Sequence, residues 1–309
     1  MANFSLVTEF ILLGFPELQR QKTAFFTILL LMYLISVTGH CLIIVVVFME
    51  TKLHTPMYFF LINFSMAEIC STTTEVPKLL ANILSEKSTI CFACCMAQGL
   101  MVFAMGAVVF IILTVMSFDR YVAICKPLQY KTIMTNELCL CLMLLAWVGG
   151  FVIIFSQSSV VWTYPYCGDN IIDHFFCDVG PVLKLACADT TLIELIGLIY
   201  GATIMWGSFG LSLISYTFII ATIIRIPSAT GRSKAFFTCA SHLTIVTMFY
   251  LGLMFMYLRP ATHGDPHVNK VVSLVRTSFI PMLNPFIYTI RNKDFKIAAW
   301  KAVRRKVFL

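Results

Sequence analysis

Few side chains in this sequence are of a kind that does chemistry, and most of them lie within or at the ends of long apolar runs. Met116-Ser117-Phe118-Asp119-Arg120-Tyr121 ends one such run. An acid–base pair where an apolar helix meets water is costly to keep, so it reads as a switch between two states. His40, Glu68 and Arg276 lie inside other runs, and an ionisable residue in such a place is a functional sign by default. Cys91-Phe92-Ala93-Cys94 has the spacing of a metal or redox pair, but no second ligand pair and no βαβ pattern accompanies it. His40 and His242 stand alone in separate runs. With no nucleophile–base set and no metal-ligand set, the reading is a non-enzyme with no catalytic residue, no metal and no cofactor.

The elements that must position these residues are spans. Hydrophobic residues make up 59% of the 309 and charged residues 12%, with mean hydropathy +0.88; a soluble globule carries about twice that charge. A helix needs about 20 mostly apolar residues to cross a bilayer. Residues 23–48, 98–118, 138–162 and 235–258 satisfy this with no Asp, Glu, Lys or Arg. Residues 57–80 carry Glu68, Glu75 and Lys78, residues 191–224 carry Glu194, and residues 271–290 carry Arg276. Seven spans predict an all-α membrane protein, a seven-transmembrane helix bundle with a short amphipathic C-terminal helix.

Orientation follows from Lys and Arg in the short loops. One side collects 14 of the 22 basic residues against four acids, a net +10, and the rest of the chain carries −3. The reading is therefore a multi-pass plasma-membrane protein with residues 1–22 outside, a single 23–290 bundle and a cytoplasmic 291–309 tail. The basic excess speaks of topology and not of nucleic acid. Glu9 and Glu17 with no basic n-region make the first span the expected insertion signal. Asn3-Phe4-Ser5 is an N-glycosylation acceptor on the matching side.

Cys91, Cys94, Cys95, Cys167, Cys177 and Cys187 fall in or beside outer loops, where disulfides persist; six cysteines alone permit many connectivities. Loops are short except 163–190, which is polar, holds four acids and three of these cysteines, and reads as a lid over an outward pocket. Thr55-Pro56 opens the second span with an N-cap residue and a proline whose missing N–H costs nothing there.

Four motifs then carry a resemblance. Leu53-His54-Thr55-Pro56-Met57-Tyr58-Phe59-Phe60-Leu61, Met116 through Tyr130, Lys234 through Leu243, and Pro281-Met282-Leu283-Asn284-Pro285-Phe286-Ile287-Tyr288 stand in order at the matching span ends. Together they resemble the odorant receptors among the rhodopsin-like G-protein-coupled receptors, nearly end to end. The resemblance implies that an odorant is the ligand and that an olfactory, stimulatory heterotrimeric G protein, acting through cyclic AMP, is the partner. It implies that Asp119, Arg120 and Tyr121 hold a closed state, and that Tyr216, Asn284, Pro285 and Tyr288 rearrange on activation. It pairs Cys95 with Cys177 and Cys167 with Cys187, leaving Cys91 and Cys94 free or exchanging with Cys95.

Tyr250, in Phe249-Tyr250, would be the pocket-floor aromatic, although Leu251 stands where the family has glycine. His40 stands where the family has asparagine and Glu68 where aspartate is commoner. The two are read as sharing a hydrogen bond, directly or through Asn284, the alternative being that His40 bonds a backbone carbonyl and never meets Glu68. Arg276 is read as pairing or snorkelling. Aligning on the motifs, Val102 takes the place of the aspartate of amine receptors and Ser278 that of the retinal lysine, arguing against a salt-bridged amine and against retinal. Val102, Phe103, Gly106, Ala107, Tyr200, Ile204, Leu253, Met254, Tyr257 and Thr277 would face a cavity suited to a small, weakly polar, volatile molecule. The basic tail with Phe295, Ala298, Trp300 and Val303 interleaved would lie on anionic membrane lipid. A transporter reading lacks support, because neither inverted repeats nor broken spans about a midplane appear.

Overall fold

The computed structural model describes residues 7–85, 87–167, 169–257, 266–290 and 295–301. Seven long helices make up most of them: α1 Lys22–Met49, α2 Pro56–Leu84, α3 Phe92–Cys125, α4 Asn136–Val161, α5 Thr191–Ile224, α6 Ala229–Tyr257 and α7, which runs as Pro266–Leu274, a π-helical turn Val275–Phe279, and Ile280–Ile290. Residues 295–301 form a short eighth helix, α8. Asn3 and residues 302–309 lie outside the described set.

Among the described residues, five of these helical stretches are long and apolar enough to cross a membrane, contributed by α1, α3, α4, α5 and α7. α2 holds Glu68, Glu75 and Lys78, and among the described residues α6 contributes the shorter apolar stretch His242–Leu251. The helix ends follow local chemistry. Thr55 takes the N-cap position before Pro56 at the start of α2 but makes no side-chain capping bond, whereas Cys91 Sγ accepts from Cys94 N–H at the start of α3 and Thr135 Oγ1 accepts from Leu138 N–H at the start of α4.

α3 is the axis, packed against α2, α4 and α5. Close approach needs small residues at two crossings. A Cβ on Gly150 would lie 2.7 Å from Val108 Cγ2, and one on Gly39 would lie 2.8 Å from Pro285 Cβ. The core of Phe60, Phe64, Val108, Ile112, Met116 and Phe249 spans α2, α3 and α6. Phe295 and Ala298 of α8 are buried in the same core, while Ile297 and Trp300 stay exposed, so this helix turns one face to the bundle and the other outward.

A small sheet closes one end. β1 (Glu9–Leu12) lies between β2 (Thr89–Cys91), antiparallel to it, and β3 (Ile171–Ile172), parallel to it. Gly14 takes φ +57 just after β1, a left-handed conformation that glycine adopts without steric cost.

Candidate functional site

The expected lid is built by covalent and polar ties. Cys95–Cys177 fastens it to α3 and Cys167–Cys187 closes its own loop. Cys91 and Cys94 are joined to each other; they are neither free nor bonded to Cys95, since their Cα atoms stand 5.1 Å apart, within bridging range. Gln98 clamps the junction: its Oε1 accepts from Cys177 N–H (3.1 Å) and its Nε2 donates to Thr74 O (3.0 Å). Lys270 at the start of α7 donates to Asp173 (2.5 Å) and to Gly14 O (3.1 Å). His174 is buried against Phe175 and Phe176, accepts from Phe176 N–H through Nδ1, and faces Asp178 at 3.9 Å. Burial pushes its imidazole down to about 4, with Asp178 opposing that shift.

Beneath the lid lies a cavity of about 150 Å³. Val102, Phe103, Gly106, Ala107 and Ile204 line it. Phe176 forms part of its roof, and Phe110, Met205 and Phe249 complete the apolar wall. Three expectations change. Tyr200 is on the exposed side of α5, because Gly201, Ile204 and Met205 set the inward face and a helix turns about 100° per residue. Thr277 is buried but does not line the cavity, since Ser273 before the π-turn and Arg276 within it do so. Tyr250 also lies off the lining: its hydroxyl is 2.5 Å from Ser208 Oγ, and its ring rests on Phe110 and Phe209. The side chains of Leu253, Met254 and Tyr257 lie outside the described set.

The charged part of the lining was not foreseen. Glu68, Asp178 and Arg276 face the cavity with Ser71 and Ser273. Arg276 Nη2 lies 3.8 Å from Glu75 Oε1, and Glu75 is fully buried. The sequence held one clue: opposite charges left unexplained on the second and seventh spans.

The pairing of His40 with Glu68 is not what the structure holds. His40 Nε2 donates to Pro281 O (3.2 Å), and its Nδ1 faces Ser65 Oγ (3.1 Å). The cause lies in α7. Pro281 O would normally accept the N–H of residue 285, but Pro285 has none. His40 supplies the missing donor, so both ring nitrogens are taken before Glu68 is reached. Asn284 is buried beside this point, and neither its amide atoms nor the buried Tyr288 hydroxyl has a hydrogen-bond partner among the described residues. The ring of Tyr288 packs edge-on against Phe64 at 5.9 Å.

At the far end of α3, Arg120 Nε donates to Asp119 Oδ2 at 2.9 Å and Nη2 pairs with the same oxygen. Asp119 is fully buried, and Tyr130 OH donates to its Oδ1 at 2.7 Å. Tyr130 is a third member that motif reading left unassigned. Burial, reinforced by Asp119, raises its phenol well above the ordinary range. Beside this cluster Tyr216 of α5 meets His242 of α6, hydroxyl to Nδ1 at 2.5 Å with rings stacked.

A roofed apolar cavity and a buried acid–base pair, set at opposite ends of one central helix, describe a membrane receptor of the rhodopsin-like kind. Residues 29–306 match the family model described as olfactory receptor. Human olfactory receptor 6X1 is 50% identical over 303 residues, 98% of this chain and 97% of its own length. Human olfactory receptor 6C3 is 44% identical over 306 residues (99% and 98%), and mouse olfactory receptor 6E1 is 45% identical over 298 residues (96% and 95%). The chain belongs to the olfactory receptor family: it is a multi-pass membrane protein and an odorant receptor coupled to G proteins, not an enzyme.

Proposed function

We propose that the chain is one seven-span domain, with residues 1–22 outside the cell, 23–290 as the bundle and 291–309 inside. The lysine and arginine bias supports this orientation, and α2 and α6 match the other helices in length. A small, weakly polar volatile molecule occupies the cavity under the lid, against Val102, Phe103, Gly106, Ala107 and Ile204. The lid is held by Cys95–Cys177 and Cys167–Cys187.

Asp119 and Arg120, with Tyr121 following, hold the opposite end closed. Tyr216, Asn284, Pro285 and Tyr288 form the part that rearranges when the pair opens to a stimulatory G protein. Burial of both tyrosines inside the bundle, away from lipid, supports that role. The exposed Ile297 and Trp300 of α8 rest on inner-leaflet lipid. A ligand drives the change only through its unequal affinity for the two states.

The observation that carries this reading is that one helix, α3, contributes Val102, Phe103, Gly106 and Ala107 to the cavity wall and both members of the buried ion pair. The test is a cyclic-AMP screen of volatile compounds in cells supplied with the stimulatory G protein, alongside Arg120→Ala. The variant retains ligand binding and loses most signalling; full signalling without Arg120 overturns the assignment.

A further inference from the structure

The cavity has two unlike walls. α3, α5 and α6 give it Val102, Gly106, Ile204 and Phe249, whereas α2 and α7 give it Glu68 and Arg276. Glu75 is fully buried behind that second wall, and neither of its oxygens has a hydrogen-bond partner among the described residues. Its ion-pair partner is Arg276 at 3.8 Å, too far for a hydrogen bond. Arg276 acts electrostatically on both Glu68 and Glu75. It is thus fixed by charge between two carboxylates while making no hydrogen bond among the described residues. Its side chain is 22% accessible and opens on the cavity, and a guanidinium carries five N–H donors.

We propose that Arg276 is the polar anchor of the ligand site, and that the site takes a small neutral molecule with an accepting carbonyl oxygen. A ketone, aldehyde or ester places that oxygen on the Arg276 N–H groups and its carbon body on the α3 and α5 wall. The charges lining the cavity select the class. An ammonium group would meet Arg276, a carboxylate would meet Asp178 and compete with Glu75 for Arg276, and like charges at such range repel. A carbonyl meets neither penalty. Size narrows the choice further: about 150 Å³ matches an engineered cavity that admits benzene, so the body is of single-ring size. This assignment rests on the cavity being the odorant site.

The test uses the full-length receptor in lipid nanodiscs and reads ligand-induced stabilisation across one carbon ring with different heads. The set is cyclohexanone, cyclohexylamine, cyclohexanecarboxylic acid and methylcyclohexane. Cyclohexanone half-saturates at a concentration lower than that of each other member by about tenfold or more. Arg276→Ala alone strands the Glu75 charge and can prevent folding, so Glu75→Gln with Arg276→Met is the working variant. In that double variant the ratio between ketone and methylcyclohexane half-saturation shrinks to within about threefold. Equal or better binding of the amine or the acid, or a ketone preference that survives the double variant, overturns the anchor. Gly106→Val separates this from the cavity reading: a Cβ at Gly106 meets open space, so the larger side chain fills the site and removes binding of all four compounds. If Gly106→Val leaves binding intact, or no compound binds the wild type, the cavity reading fails and the anchor with it.

Discussion

Tyr130→Phe isolates one bond of the closed latch. The phenol donates to the fully buried Asp119 carboxylate at 2.7 Å, while Arg120 holds the other oxygen. A hydrogen bond to a charged group contributes about 1.5–3 kcal/mol. Asp119 keeps both contacts with Arg120 in the variant, so the lower end applies, about 1.5 kcal/mol. That is roughly a twelvefold change in an equilibrium constant. If the open form is about 1% of unliganded receptor, a common level for a minor state, the variant raises it to about 11%. The ring stays in place and Tyr130 is only half-buried, so folding is little affected. The assay is ligand-free nucleotide exchange on the G protein by purified receptor in nanodiscs, normalised to receptor amount. The rise is about tenfold, and Asp119→Asn raises exchange at least as far. A basal rate within twofold of wild type for Tyr130→Phe, with Asp119→Asn elevated, removes Tyr130 from the latch. Flat rates for both refute the latch itself.

Three other outcomes follow from the geometry. His40→Leu strands the Pro281 carbonyl and costs about 1–3 kcal/mol, lowering the melting temperature of the purified receptor; His40→Asn restores an amide donor and recovers at least half of that loss. His174 makes the lid end acid-sensitive. Its folded value of about 4 lies below the ordinary 6.5, so the unfolded chain takes up the proton first as pH falls. Stability is whole above about pH 7, and roughly 1.3 kcal/mol is gone by pH 5.5; melts at the two pH values show this drop in the wild type and a smaller one in His174→Gln. Tyr216→Phe removes the α5–α6 bond to His242, 2.5 Å long. It raises basal nucleotide exchange by about fivefold or more, and an unchanged basal rate would show that this contact does not bias the closed state.

The helices were legible because a span must be apolar throughout. The fifth span coincides with α5 (Thr191–Ile224), and the others differ only at their ends. The third, read as 98–118, extends to Phe92–Cys125: the helix runs on past Asp119-Arg120 at one end and through Cys94 and Cys95, assigned to the outer loop side, at the other. The cavity was legible on α3, where a regular helix fixes which residues face inward. It was not legible on α7, because a π-turn changes the rotation from residue to residue and no composition marks it. Long-range polar partners were hidden as well. His40 is 241 residues from Pro281, and only the packing of Gly39 on Pro285 brings the ring to the freed carbonyl. Arg276 was visible as an anomaly, but its meaning depends on Glu75 facing it across two helices.

How ligand and latch can influence each other is set by the contacts between α5 and α6. Among the described residues, side-chain bonds join these antiparallel helices at two places: Ser208 to Tyr250 beside the cavity, and Tyr216 to His242 beside Arg120. On each helix the two bonds are eight residues apart, about 12 Å at 1.5 Å per residue. A rigid tilt of α6 can therefore keep one of them as a pivot while the other stretches, but cannot stretch the lower one without loading the upper. The upper bond lies against Phe110, whose ring touches both Phe249 and Tyr250. Phe110 and Phe249 line the cavity, so a ligand pressing on them acts at the pivot. Arg120 acts electrostatically on both members of the lower bond. Contacts of this kind make coupling physically available, and only an energetic measurement across both bonds assigns its size. What they require is that the pivot survive activation, because a receptor that lost both bonds together would have no fixed point about which cavity and latch could trade free energy.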